Sequence, residues 1–172
     1  MPLILTFHII LNNIKIKIFI FALAVLSSCD KNSISNCSNT DCSSYFNLNI
    51  SDTGESTLFI FNDSITSLQN GDEIGLFDES GIIDETGQVG SILVGYGVWD
   101  GTQLEIVAIM SQDLSGFGGT ILPGAINGNE LKVKIWKKNS QILKDNILYS
   151  IEVGSGTFNA LFTAISELSI PV

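Results

Sequence analysis

The chain has 172 residues, with 18 acidic side chains against eight basic ones and a formal net charge of −10. It contains no arginine, and phosphate recognition leans on arginine and lysine, so nucleic acid is not an expected partner. The one histidine is His8, and the cysteines are Cys29, Cys37 and Cys42, all in the N-terminal part of the chain.

In chain order, Lys15 and Lys17 come first, then the apolar run Ile18 to Leu26, then Ser27, Ser28 and Cys29. A basic region, a short apolar region and small residues are the layout of a secretory signal peptide. A membrane-spanning helix needs about 20 apolar residues. Phe7 to Leu26 reaches that length only with Asn12, Asn13, Lys15 and Lys17 inside it. Leu26-Ser27-Ser28-Cys29 resembles the lipobox of bacterial lipoproteins. That resemblance implies that residues 1–28 are removed and that the Cys29 thiol is diacylated as the new N-terminus. An uncleaved membrane anchor and a plain secretory signal are the alternatives. The apolar stretch Met1 to Asn13 ahead of the lysines departs from the usual layout and fits a start site further along.

Cleavage before Cys29 leaves 144 residues carrying six lysines and all 18 carboxylates, a net charge of −12. That length suits one domain with a real core. An anionic bilayer would repel it, so the lipid on Cys29 is the expected membrane contact. With Cys29 modified, Cys37 and Cys42 remain as a C-x4-C pair, and a disulfide between them is expected in an exported protein. A metal site needs more ligands than this pair, and His8 leaves with the signal. Residues 29–44 read as a solvated tether rich in Ser, Asn and Asp, with a random-coil reach of about 20 Å.

From Tyr45 onward, short apolar runs alternate with turn residues. Strands are predicted at Tyr45 to Ile50, Ser56 to Asn62, Asp72 to Phe77, Ile92 to Trp99, Gln103 to Met110, Glu130 to Lys137, Ile147 to Val153 and Leu161 to Ile170. Gln69-Asn70-Gly71-Asp72, Asp100-Gly101 and Asn127-Gly128-Asn129 supply turn chemistry between them. The pattern predicts an all-β fold over residues 45–172: an antiparallel β-sandwich of about eight strands, with a barrel as the related alternative. Gly95 and Gly97 share one face of their strand, which marks a bulge or the close approach of another segment. Gly116-Phe117-Gly118-Gly119 joins no strand to a helix and reads as a mobile loop.

Little catalytic chemistry emerges. There is no G-x-S-x-G and no histidine to act as a base after cleavage. A carboxylate pair for glycoside hydrolysis stays open in so acidic a chain. Acidic pairs recur at Asp72-Glu73, Asp78-Glu79 and Asp84-Glu85. Asp78, Glu79, Asp84 and Glu85 are candidate calcium ligands, since calcium takes six to eight oxygens, against the plainer reading as solvated loop carboxylates. No other cofactor is expected. In Leu131 to Lys137, Leu131, Val133 and Ile135 point one way, while Lys132, Lys134 and Trp136 share the other face. That second face is either a solvated strand surface or a ligand face on which tryptophan stacks against a sugar or base.

Five runs occur in order: Gly71-Asp72-Glu73-Ile74-Gly75-Leu76-Phe77-Asp78, Gly95-Tyr96-Gly97-Val98-Trp99-Asp100-Gly101, Ile106-Val107-Ala108, Gly116-Phe117, and Leu131-Lys132-Val133-Lys134-Ile135-Trp136. Together they resemble a β-rich module of secreted and cell-surface proteins from Bacteroidetes-like bacteria, over about Thr57 to Leu168. In those modules an acidic loop precedes Gly-Phe; here it is reduced to Asp113. They often precede a secretion-sorting domain, whose place the lipid is expected to take here. The resemblance brings no site residues with it. The expectation is a lipid-anchored envelope lipoprotein, at the outer membrane or cell surface, acting as a non-enzymatic binding or adhesion module for a glycan or protein ligand. A structural or accessory subunit of an envelope complex, and a carbohydrate-active enzyme, are the alternatives.

Overall fold

The computed structural model describes residues 44–171. The predicted signal peptide, Cys29, the Cys37 and Cys42 pair and all of the tether but Ser44 lie outside the described residues. Ten strands follow in chain order: β1 (Ser56–Phe61), β2 (Glu73–Ile82), β3 (Val89–Val98), β4 (Leu104–Ile109), β5 (Gln112–Asp113), β6 (Ile121–Leu122), β7 (Lys132–Lys137), β8 (Ile142–Lys144), β9 (Leu148–Val153) and β10 (Phe162–Ser169).

Sheet A runs β4-β1-β10-β9 and sheet B runs β3-β2-β7-β8, with β5 and β6 as a small ribbon. The two sheets form a sandwich. Two-residue periodicity builds its interior. Phe59 and Phe61 of β1, Ile74 and Leu76 of β2, Val133 and Ile135 of β7, and Ile165 of β10 are all fully buried. Each such side chain contributes about 1.5–3 kcal/mol on leaving water. Trp99 is 2% exposed and belongs to this core.

Consecutive strands cross between the sheets at both lateral edges: β3 to β4 on one side, β8 to β9 on the other. The first edge is drawn tight by glycine. A Cβ on Gly95 would lie 2.5 Å from the Val107 carbonyl oxygen, and one on Gly97 would meet Ile106 and Leu104 at 3.1 and 3.2 Å. This is the close approach that the paired glycines predict. The second edge has no such closure, and β8 is only three residues long.

Three features depart from the sequence pattern. First, β1 and β10 pair in parallel, Leu58 opposite Phe162 through Phe61 opposite Ile165, while the remaining strand pairs are antiparallel. Parallel neighbours need a long crossover, and the intervening strands supply it. Second, Tyr45 to Ile50 is not a strand. The N–H groups of Tyr45 and Phe46 donate to the Glu73 carboxylate, at 2.8 and 3.0 Å, instead of to a neighbouring strand. Third, the glycine-rich stretch holds a short 3-10 turn, Ser115–Phe117, ended by Gly118 at φ 79°.

Candidate ligand surface on sheet B

The face opposite the core is built in rows across β2 and β7. Glu73 pairs with Trp136, Gly75 with Lys134 and Phe77 with Lys132. Strand alternation therefore turns Lys132, Lys134 and Trp136 outward together, half-buried, while Leu131, Val133 and Ile135 enter the core. The structure brings the predicted ligand-face residues onto one surface.

It also adds a strap that the periodicity does not reveal. Glu73 is 7% exposed, and its carboxylate accepts from the Ser44 hydroxyl at 2.6 Å as well as from the Tyr45 and Phe46 amides. Hydrogen bonds to a charged group are worth about 1.5–3 kcal/mol each. Gly75 is the seat for the strap: a Cβ there would lie 2.8 Å from the Phe46 ring. Phe46 meets Phe77 edge-on at 5.8 Å and Tyr45 edge-on at 5.1 Å. Tyr45 then lies flat on Trp136, with ring centroids 4.0 Å apart and planes 5° from parallel. Trp136 thus already carries one aromatic partner from its own chain, and Tyr45, 45% exposed, forms the outer layer.

Around this shelf the cations are partly engaged. The Lys134 ammonium lies 4.5 Å over the Phe77 ring and 3.8 Å from the Glu79 carboxylate. Lys132 donates to the Asn146 side chain at 3.3 Å. The arrangement offers a two-layer aromatic platform with an ammonium group beside it, suited to stacking on a ring and hydrogen-bonding its substituents. Tyr45, Glu73 and Phe77 are its residues that sequence reasoning missed. Their signals were an aromatic pair at the end of a polar linker and a glycine inside a strand.

The acidic pairs have structural employment. The Asp72 carboxylate, 1% exposed, accepts from the Gln69 amide at 2.8 Å, the Lys138 amide at 3.0 Å and the Lys137 ammonium. Asp78, also 1% exposed, accepts from the amides of Ser80 and Ile126, each at 2.8 Å, and from the Asn129 side chain at 2.9 Å. It is a buried strand residue beside the β2–β3 irregularity, not a solvated loop carboxylate. Asp84 closes the β2–β3 turn by accepting from the Thr86 amide and hydroxyl and from the Gln88 amide. The Thr86 hydroxyl foremost holds its carboxyl below the usual aspartate range. Glu79 faces Lys134 and Glu85 is exposed. The calcium candidates are thus spread along one hairpin. Among the described residues, no three His, Cys, Asp or Glu side chains gather where they would hold a metal ion.

A concavity of 430 Å³ lies between the β1–β2 loop and β10, lined by Ser64, Thr66, Ser67, Ser166 and Glu167 among others. The Ser67 hydroxyl there is buried without a hydrogen-bond partner among the described residues. This cleft has no aromatic floor. No protein-family model, curated protein or solved structure matches the chain.

Proposed function

We propose that this chain is a lipid-anchored, non-enzymatic binding module of the bacterial cell envelope, held at the outer membrane or cell surface through Cys29. Its ligand surface is the Tyr45–Trp136 shelf with Lys134 beside it, and its ligand is a glycan. The observation that carries this reading is the parallel stack of Tyr45 on Trp136 at 4.0 Å, which sets a broad aromatic face outward on a strand row that also bears lysines. Aromatic faces of this kind bind the apolar faces of sugar rings, and a nearby ammonium donates to ring hydroxyls.

A glycan array tests the ligand. The full chain is expected to retain at least one glycan class, with Tyr45→Ala and Trp136→Ala each lowering affinity about tenfold, the effect of roughly 1.4 kcal/mol. Binding to no glycan, or binding indifferent to both substitutions, overturns the assignment. The anchor is read separately. Metabolic labelling with a fatty acid is expected to mark the wild-type chain and leave Cys29→Ser unmarked; equal labelling of both rules out lipidation at this residue.

A further inference from the structure

The open lateral edge of the sandwich points to a second binding surface, on the other sheet. β9 is the outer strand of sheet A and pairs with β10 on one side only. Its outer row of N–H and C=O groups meets no backbone partner among the described residues. Edge strands of this kind invite pairing, and proteins usually blunt them with lysine or proline. The β9 sequence, Leu-Tyr-Ser-Ile-Glu-Val, contains neither.

The side chains are unfinished as well. Tyr149 and Ile151 turn toward the interior: the Tyr149 hydroxyl donates to the Leu131 carbonyl across the sandwich at 2.8 Å, and Ile151 sits opposite the fully buried Ile165; the register shift at Glu152 then brings Val153 opposite Ala164, on the other face. Yet Ile151 remains 40% exposed. The core is uncovered where a further strand of sheet A would lie. On the outer face, Glu152 accepts from the Asn62 side chain and Glu167 from the Ser150 hydroxyl at 3.4 Å. Neither forms an ion pair; the two in the described residues are Lys134–Glu79 and Lys137–Asp72. The Tyr149 phenol is pushed up chiefly by burial and further by the charge of Glu130, a third carboxylate at this edge.

We infer that β9 is a docking edge for an extended, lysine-bearing segment of another protein, which adds a fifth strand to sheet A. Main-chain hydrogen bonds supply the pairing, aliphatic side chains cover Ile151 on the inner face, and lysines on the outer face meet Glu152 and Glu167. A second copy of this chain is a poor occupant: two β9 edges would bring the Glu152 and Glu167 carboxylates of two strongly acidic domains together. The inference does not rest on the Trp136 surface, which lies on the opposite sheet.

Amide hydrogen exchange on the full chain tests it, with a short capped peptide of alternating lysine and valine as the probe. At a peptide concentration about ten times its Kd, the outer-row amides of Leu148–Val153 are expected to exchange about tenfold more slowly. A peptide of equal charge with a central proline is expected to give no protection there, and Ile151→Lys to remove the effect of the first peptide. Glu152→Gln, on the exposed face, is expected to weaken it several-fold and serves if Ile151→Lys does not fold. Equal protection by the proline peptide, protection confined to other strands, or none at all overturns the inference. So does a chain that dimerises alone with its β9 amides protected, since the edge would then belong to a second copy.

Discussion

Replacing Asp72 with alanine is expected to lower the unfolding free energy by about 3–5 kcal/mol, the cost of removing one partner from a buried ion pair. The carboxylate is nearly inaccessible, and it joins three chain segments at the end of sheet B: the turn before β2, through Gln69; the end of β7, through Lys137; and the turn after β7, through Lys138. Without it, the Lys137 ammonium, whose side chain is 18% exposed, keeps among the described residues only the Ser67 carbonyl at 3.2 Å. The main-chain carbonyl of Asp72 survives the change and still accepts from Trp99 at 2.8 Å, so the loss reports the side chain. Urea titration reads it as a lower midpoint at unchanged slope. Asp72→Leu combined with Lys137→Met is expected to recover only part of the loss: no unpaired charge is then left inside, but the Gln69 and Lys138 amides still lack their acceptor. A single-variant loss below about 1 kcal/mol would show that solvent reaches the pair.

Phe59→Ala is expected to cost a similar amount, about 3–5 kcal/mol, for a different reason. Phe59 is fully buried on β1 and meets Phe158 edge-to-face, with centroids 5.7 Å apart and planes at 77°. Phe158 follows β9, and its backbone is tied to the loop before β7: its amide donates to the Asn129 carbonyl at 2.9 Å, and its carbonyl accepts from the Gly128 amide at 3.1 Å. The phenyl pair therefore joins sheet A to the end of sheet B. Removing one ring leaves a cavity and frees that loop together. Phe59→Leu is expected to cost less than half as much, and a double-mutant cycle with Phe158→Leu to give a coupling of about 0.5–1.5 kcal/mol. Additive losses would mean that the rings merely fill space.

The alternation in β7 was legible because Lys and Trp interrupt Leu, Val and Ile at every second position, and burial repeats that order. Gly95 and Gly97 announced a close approach, and the β4 backbone is what approaches. The reading failed where a side chain competes with a strand for main-chain donors. Tyr45 to Ile50 has strand composition, but the carboxylate of Glu73, 28 residues from Tyr45, takes its amides, and no local pattern encodes that pairing. The same limit hid the platform: Trp136 was visible as an outward aromatic, whereas its Tyr45 partner comes from a segment 91 positions earlier in the chain. The acidic pairs misled for the converse reason. Composition registers carboxylates but not donors, and the amides that use Asp72 and Asp78 lie on loops as distant as Lys138 and Ile126. Trp99, the residue after β3, lies inside, its carbonyl accepting at 2.7 Å from the amide of Gly71, which turns at φ 91°.

The attachment of Ser44, Tyr45 and Phe46 to one carboxylate has a mechanical consequence. A pull on the chain at Ser44 enters the domain through Glu73, on a central strand of sheet B. The three contacts follow one another along the strap, so tension loads them in succession, as tape is peeled, whereas ladder bonds between strands share a load. The strap is therefore expected to yield before the sheets, and lifting Tyr45 would bare the Trp136 ring beneath it. Traction on the chain and the exposed aromatic area are thereby coupled through a single glutamate.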